Sequence, residues 1–200
     1  HVAYTHGSAA QNALLPYNGM AEKPPKEQRT HPMKIAVMGY SGSGKSTLAE
    51  FLGRRHELDV LHLDSVQFVE GWRERDRDEA RALVGRFMES HDSWVIDGNY
   101  RQFYWKERLE QADRIVLMEF GRLSCFARVL KRTRTYYGRE RPDLAPGCPE
   151  RLDPEFLRWV VWDGRTRERR AAFAQVEHEH GEKVVHLRNQ RQLNAFMAQE

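Results

Sequence analysis

Cysteine is scarce in this sequence. There are two, Cys125 and Cys148, and their separation fits no metal-ligand spacing. A disulfide-stapled scaffold and a zinc ribbon are therefore excluded as organising devices, and the pair reads as free thiols of a reducing cytosol. Long apolar runs are missing too. No stretch approaches the roughly 20 residues that a membrane-spanning helix needs. The first residues lack the charged start and apolar core of a secretory signal. Charge of one sign is not in strong excess: 32 Lys and Arg against 29 Asp and Glu leave a net +3. So mild an excess does not require a nucleic-acid partner, because phosphate-binding enzymes are often basic as well. Internal repeats are absent. So is the Asn-Lys-x-Asp segment that reads guanine in GTPases, for which Asn189-Gln190-Arg191-Gln192 is no substitute. The expectation is a cytoplasmic protein without membrane contact, mostly monomeric.

What is present is globular composition, with 40% hydrophobic residues, 10% aromatics and all five Trp after position 71. Residues 1–32 stand apart: they carry Pro16, Pro24, Pro25 and Pro32 and little periodicity, and Met33 follows directly. They read as a disordered leader or tag, with 33–200 as a single domain.

From Lys34 onward short apolar runs alternate with helical patterns. Strands are predicted over 34–38, 59–64, 93–97, 114–120 and 183–187. Helices are predicted over 45–56, 76–90, 101–112, 122–137, 154–180 and 190–199. Asp76 with Glu79 has the form of a capping box. In 122–137 the inward face is assigned to Leu123, Phe126, Ala127 and Leu130. The Pro- and Gly-rich 138–154 reads as a loop. Strands separated by helices imply an α/β fold, a parallel sheet covered by helices on both faces, with ligands at the carboxyl ends of the strands.

The first strand runs into Gly39-Tyr40-Ser41-Gly42-Ser43-Gly44-Lys45-Ser46-Thr47, which fits G-x-x-x-x-G-K-[ST]. Bare backbone lets main-chain N–H groups wrap a triphosphate, and the helix that follows offers its N-terminal dipole to the anion. On this reading Gly39, Ser41, Gly42, Ser43, Gly44, Lys45, Ser46 and Thr47 bind ATP. Lys45 reaches the β and γ phosphates, and Ser46 is a ligand of Mg²⁺. Asp97, at the end of the third predicted strand, is placed to hold the same ion. Asp64 ends the second strand, where a carboxylate orients or deprotonates an attacking hydroxyl. Trp72 is suited to stack a base or cover a pocket. Arg128 with Arg132, and Arg165 with Arg169, are i, i+4 pairs that share a helix face. The two His at 178 and 180 diverge on a helix and suggest no metal site. His62 and His186, on predicted strands, read as ordinary packing.

Two local segments resemble known kinases. "DGNYR" at 97–101 resembles the "DGFPR" of adenylate kinases, which implies that Arg101 grips an acceptor phosphate. Asp64 resembles the strand-end Asp of uridine-, shikimate- and gluconate-type kinases, where the acceptor is a hydroxyl. Over residues 33–198, "GYSGSGKSTLA", "LHLDSVQF", "GWRERDRDE", "SWVIDGNYR", "RPDLAPGCPE" and "WVVWDGRT" together resemble the bacterial DNA topology modulation proteins, small adenylate kinase-like P-loop proteins. The resemblance implies a P-loop NTPase fold, with five parallel strands in the order 2-3-1-4-5 and a small lid at about 138–154. It also implies an acceptor flap with Trp72 and Arg73, and lid-side arginines Arg128, Arg132, Arg165 and Arg169 acting on the transferring phosphoryl group. The expected activity is phosphoryl transfer from ATP to a nucleotide, nucleoside or other small hydroxyl acceptor. The alternative is a nucleotide-regulated DNA-binding protein with little kinase activity. No helix-turn-helix, zinc module or strongly basic arm supports it.

Overall fold

A computed structural model describes residues 32–141 and 143–200; the leader assigned to 1–32 lies, but for Pro32, outside the described residues. Five strands form one parallel sheet: β1 (Lys34–Gly39), β2 (Asp59–His62), β5 (Trp94–Asp97), β6 (Arg114–Met118) and β7 (Val184–Leu187). Their order is β2-β5-β1-β6-β7. Counting only these strands, that is 2-3-1-4-5. Two-residue strands β3 (Phe68–Val69) and β4 (Arg73–Glu74) pair antiparallel as a separate hairpin.

Ile35, Ala36, Val37 and Met38 are all buried, as are Val95 and Ile96, and Ile115 through Met118. Successive strand residues point to opposite faces, so the central strands are covered on both sides. The cover comes from α1 (Lys45–Arg55), α3 (Arg77–Ser90), α4 (Trp105–Gln111), α5 (Arg122–Tyr136), α7 (Arg167–His180) and α8 (Gln190–Gln199). Register lines up the strand ends. Val37 lies between Asp97 and Val116, His62 is opposite Asp97, and Gly39 is opposite Met118. The last residues of β1, β2 and β5 thus meet at one rim.

The helices start where the side chains cap them. Asp76 accepts from Asp78 N and Glu79 N, Asp153 from Glu155 N and Phe156 N, and Asn189 from Gln192 N. The capping box itself does not close, because the Glu79 carboxylate pairs with Arg75 at 2.7 Å.

Four expectations are corrected. The second strand stops at His62, and Leu63–Gln67 turns into the short helix α2, which carries Asp64. The helix expected from residue 101 starts at Trp105. The long helix of 154–180 is two helices, α6 (Pro154–Val161) and α7. The break sits at Trp162 (φ −125°, ψ −67°), and Thr166 restarts the spiral by accepting from Arg169 N. Gly164 serves the break, since a Cβ there would lie 2.7 Å from Trp159 O. Finally, α5 buries Cys125, Val129 and Thr133, while Leu123 is 82% exposed and Leu130 39%. The reason is close approach: a Cβ on Gly42 would sit 2.8 Å from both Cys125 O and Val129 Cγ2. The inward face of α5 therefore carries small residues, Phe126 is half-buried, and Leu123 and Leu130 lie outside.

Candidate active site

The loop after β1 is shaped by backbone conformations that side chains oppose. Gly39, Gly42 and Gly44 have φ of 139°, 78° and 97°. A Cβ on Gly39 would fall 2.2 Å from Met118 O. Gly44 forms the N-cap of α1 with no side-chain cap, which leaves first-turn N–H groups free for an anion. The Lys45 ammonium lies over the same loop and donates to Tyr40 O at 3.2 Å.

Next to the loop, Ser46 Oγ donates to Asp97 Oδ2 at 3.0 Å. The two groups expected to share a metal ion are thus adjacent, although 51 residues separate them in sequence. Asp97 is itself braced. Its Oδ1 lies 2.6 Å from His62 Nδ1, and His62 Nε2 lies 2.9 Å from Glu50 Oε1. Burial lowers the His62 pKa, but the bonds to Asp97 and Glu50 together outweigh it and push the pKa up to about 9. At neutral pH this imidazole is a cation held between two carboxylates.

The segment after Asp97 is fixed from beneath. Asn99 donates to Gly39 O at 2.6 Å and accepts from Gly39 N at 3.1 Å, tying it to the start of the glycine loop. Arg108 is buried and binds the carbonyls of Phe103, Gly98 and Tyr100. Burial lowers its pKa to about 10, which leaves it charged. Tyr100 donates its hydroxyl to Asp64 Oδ1 at 2.7 Å. Burial first, then the Asp64 carboxylate, pushes the phenol far above its ordinary range, so it remains a donor.

Lys45, Ser46, Asp97, Asn99, Tyr100 and Asp64 line a cleft of about 1310 Å³, with His62 and Arg108 behind its wall. Ser41, Gly42, Gly44, Lys45, Ser46, Thr47, Asp64, Trp72, Asp97 and Arg101 reach it, as do Arg128, Arg132 and Arg169. Four predicted residues do not line it: Ser43, Gly39, Arg73 and Arg165. Ser43 is fully buried beneath the loop, with no hydrogen-bond partner for its hydroxyl. Gly39 shapes the loop from behind. Arg73 is exposed on β4 and donates to Glu70 O at 3.3 Å, away from the cleft wall.

Arg165 is the clearest correction among the arginines. It is 8% exposed, bonds Val160 O at 3.0 Å and Cys125 Sγ at 3.1 Å, and lies over the Tyr40 ring at 4.0 Å. It holds the α6–α7 break against α5 and the glycine loop and does not face the cleft. Its i, i+4 spacing from Arg169 loses meaning because the helix breaks between them. Arg128 reaches Ser43 O and Gln190 Oε1 and stacks over Phe120 at 4.3 Å. Arg132 donates to Glu150 Oε1 at 3.0 Å. Burial, and then neighbouring Arg141, lowers its pKa. Arg169 lies over the Trp159 ring at 4.4 Å.

Residues 138–141 and 143–153 fold over one end of the cleft. Glu150 is 3% exposed, accepts from Thr133 at 3.0 Å and pairs with Arg132 and Arg141. Trp72 Nε1 donates to Pro149 O at 3.0 Å, and Gly71 N to Gly147 O at 2.8 Å. Phe68 and Trp72 pack against Leu144, Ala145 and Cys148 in a small apolar cluster of their own.

His62, Arg108, Asn99, Tyr100 and Glu150 are the positioning groups that sequence reading missed. Only the adjacency of Asn99 and Tyr100 to Asp97 gave a signal. His62 depends on parallel register, and Arg108 and Glu150 depend on burial.

No protein-family model and no curated protein matches the chain. Solved structures do. A structure described as "a putative kinase" from Chloroflexus aurantiacus J-10-fl is 18% identical over 66% of this chain and 79% of that one, with a TM-score of 0.44. TT1252 from Thermus thermophilus is 17% identical over 84% of this chain and 98% of that one, TM-score 0.44. An uncharacterized protein from Eubacterium ventriosum ATCC 27560 is 12% identical over 84% and 94%, TM-score 0.43. Similarity at this level carries no argument about activity. The family resemblance noted in the sequence remains a resemblance.

Proposed function

We propose that the chain is an ATP-dependent phosphotransferase that moves a γ-phosphoryl group to a small-molecule acceptor. The observation that carries this reading is the contact of Ser46 with Asp97 beside a glycine loop that leads into the N-terminus of α1. The loop N–H groups and Lys45 would bind the β and γ phosphates, where donors and positive charge are concentrated. Ser46 and Asp97 are both oxygen donors, so the pair suits a hard cation. Mg²⁺ held there would neutralise charge on the phosphates. His62 holds Asp97 through one oxygen and leaves the other toward Ser46. Arg128 and Arg169 line the cleft as cations for the transferring group, and Arg132 lines it while paired with Glu150. Nothing favours a duplex-binding surface over this site.

The test is ADP production from ATP and Mg²⁺ across nucleoside monophosphates, nucleosides and small polyols, with Lys45→Ala as control. Turnover is expected to fall at least about 10²-fold in the variant, with circular dichroism unchanged. Turnover equal to the parent's would refute the assignment.

A further inference from the structure

Resting on the phosphotransferase reading, we infer that the acceptor is an uncharged hydroxyl compound with a flat ring, of the nucleoside class, and not its monophosphate. The acceptor wall is formed by α2, the β3–β4 hairpin and the 98–105 segment. The 98–105 segment is joined to α2 by the Tyr100–Asp64 bond and by Gln102 Nε2 donating to Gln67 Oε1 at 3.3 Å, and the end of the hairpin returns to α2 through Arg75 N donating to Gln67 O at 2.7 Å.

Charge on this wall opposes a phosphate. Asp64 and Glu74 line the cleft, and Arg101 is the single arginine of residues 63–105 that does so. The others are engaged elsewhere. Arg73 bonds Glu70 O, Arg75 bonds Val66 O and Glu79, and Arg81 bonds Gln102 O and lies over the Tyr104 ring at 4.1 Å. Arg77 begins α3 and is exposed. A phosphate monoester carries a charge near −2 at pH 7 and is usually held by several bidentate guanidinium groups. Two carboxylates against one exposed arginine are the wrong balance for that group. Across the cleft the loop cations are matched as well: Arg141 pairs with Asp143 at 3.1 Å and with Glu150 at 2.9 Å, and Arg151 lies 3.8 Å from Asp153.

Shape favours a ring. Phe68, Trp72, Tyr100 and Trp105 all reach the cleft, and Phe68 and Trp72 meet edge to face at 5.5 Å. Trp72 holds a positive φ of 61°, an expensive backbone for a bulky residue, and its indole N–H is pinned to Pro149 O. A fixed indole and its aromatic neighbours offer flat apolar surface on which a base stacks.

Asp64 supplies the chemistry. Tyr100 fixes its Oδ1, and Oδ2 is left to accept from the acceptor hydroxyl. The acceptor oxygen then forms the new O–P bond to the γ-phosphorus of ATP. The bond from that phosphorus to the β,γ-bridging oxygen breaks, and ADP leaves with the electron pair. The hydroxyl proton passes to the Asp64 carboxylate and on to solvent, so charge and protons balance.

The experiment compares kcat/KM for adenosine, guanosine, cytidine, uridine and thymidine, each against its own 5′-monophosphate, with ATP and Mg²⁺ and the full chain. The expected result is at least a tenfold preference for the best nucleoside over its monophosphate. Asp64→Asn should lower kcat on that nucleoside by about 10²–10⁴-fold. Glu74→Gln should lower KM for the monophosphate several-fold without a gain for the nucleoside. Equal or better use of the monophosphate, abolished by Lys45→Ala, overturns the inference and leaves the phosphotransferase reading standing. Faster turnover of a small polyol than of every nucleoside also overturns it. Absence of turnover with every nucleoside overturns it whether or not ATP binds. Failure to bind ATP at all, measured by calorimetry, removes the underlying reading as well.

Discussion

His62 shows how much a single residue depends on register. On a strand read alone it is a packing histidine; opposite Asp97 it becomes the brace of the candidate metal ligand. Replacing it with Leu leaves Asp97 as a buried carboxylate without its main partner, a loss of about 3 kcal/mol. The effect has a sign in pH. The folded protein holds the His62 proton more tightly than an unfolded chain, with a pKa near 9 against an ordinary 6.5. The stabilisation is therefore complete below about pH 6.5 and disappears as pH rises through about 9. Urea denaturation of the metal-free protein in EDTA, from pH 6 to 10, should show parent and His62→Leu converging at the alkaline end. A constant gap across that range would show that His62 stabilises by packing alone. Arg165 gives the opposite lesson: a residue with the right type and spacing for the site is used under Tyr40 as a buried packing cation.

Elements are decided by their ends and by what lies against them. Helix α6 begins at Pro154 behind the Asp153 cap. Asp153→Ala should cost about 1 kcal/mol, read as a shift in the denaturation midpoint with little change in its slope. Helix α5 is positioned by the glycine loop and not by its own hydrophobic stripe. Gly42 has φ of 78° and no room for a methyl group beside Cys125 and Val129. Gly42→Ala should therefore cost about 1–3 kcal/mol through strain and overpacking, and on the proposed function it should also weaken ATP binding by displacing the loop. Normal stability with normal ATP affinity would mean that α5 moves aside freely. The break between α6 and α7 was legible in principle, because Gly164 followed by Thr166 is a stop and a cap. The apolar period running through it hid them.

At the scale of the whole molecule, Glu150 joins the 138–153 loop to the body. One buried carboxylate holds Arg132, Arg141 and Thr133. Glu150→Gln removes that charge and leaves two partly buried guanidinium groups without their common partner. Amide exchange in residues 138–153 should accelerate about tenfold or more, while exchange in β1 and β6 stays at the parent rate. Equal acceleration in the central strands would mean that Glu150 supports the entire fold and not the loop alone.

The sequence by itself determined the alternation of strands and helices, the glycine loop and the residue types at the strand ends. Each of these rests on local rules: apolar period, turn chemistry and the positive φ that only glycine adopts without strain. The tertiary structure decided which of the many charges meet. Parallel register set His62 against Asp97, burial took Arg108 and Arg165 inside, and the hairpin turned Arg73 away from the cleft while keeping Glu74 on its wall beside Asp64 of α2. With 32 Lys and Arg and 29 Asp and Glu spread along the chain, spacing alone does not fix their partners. Pairing is set by distances across chain segments tens of residues apart, and those distances exist only once the sheet is assembled.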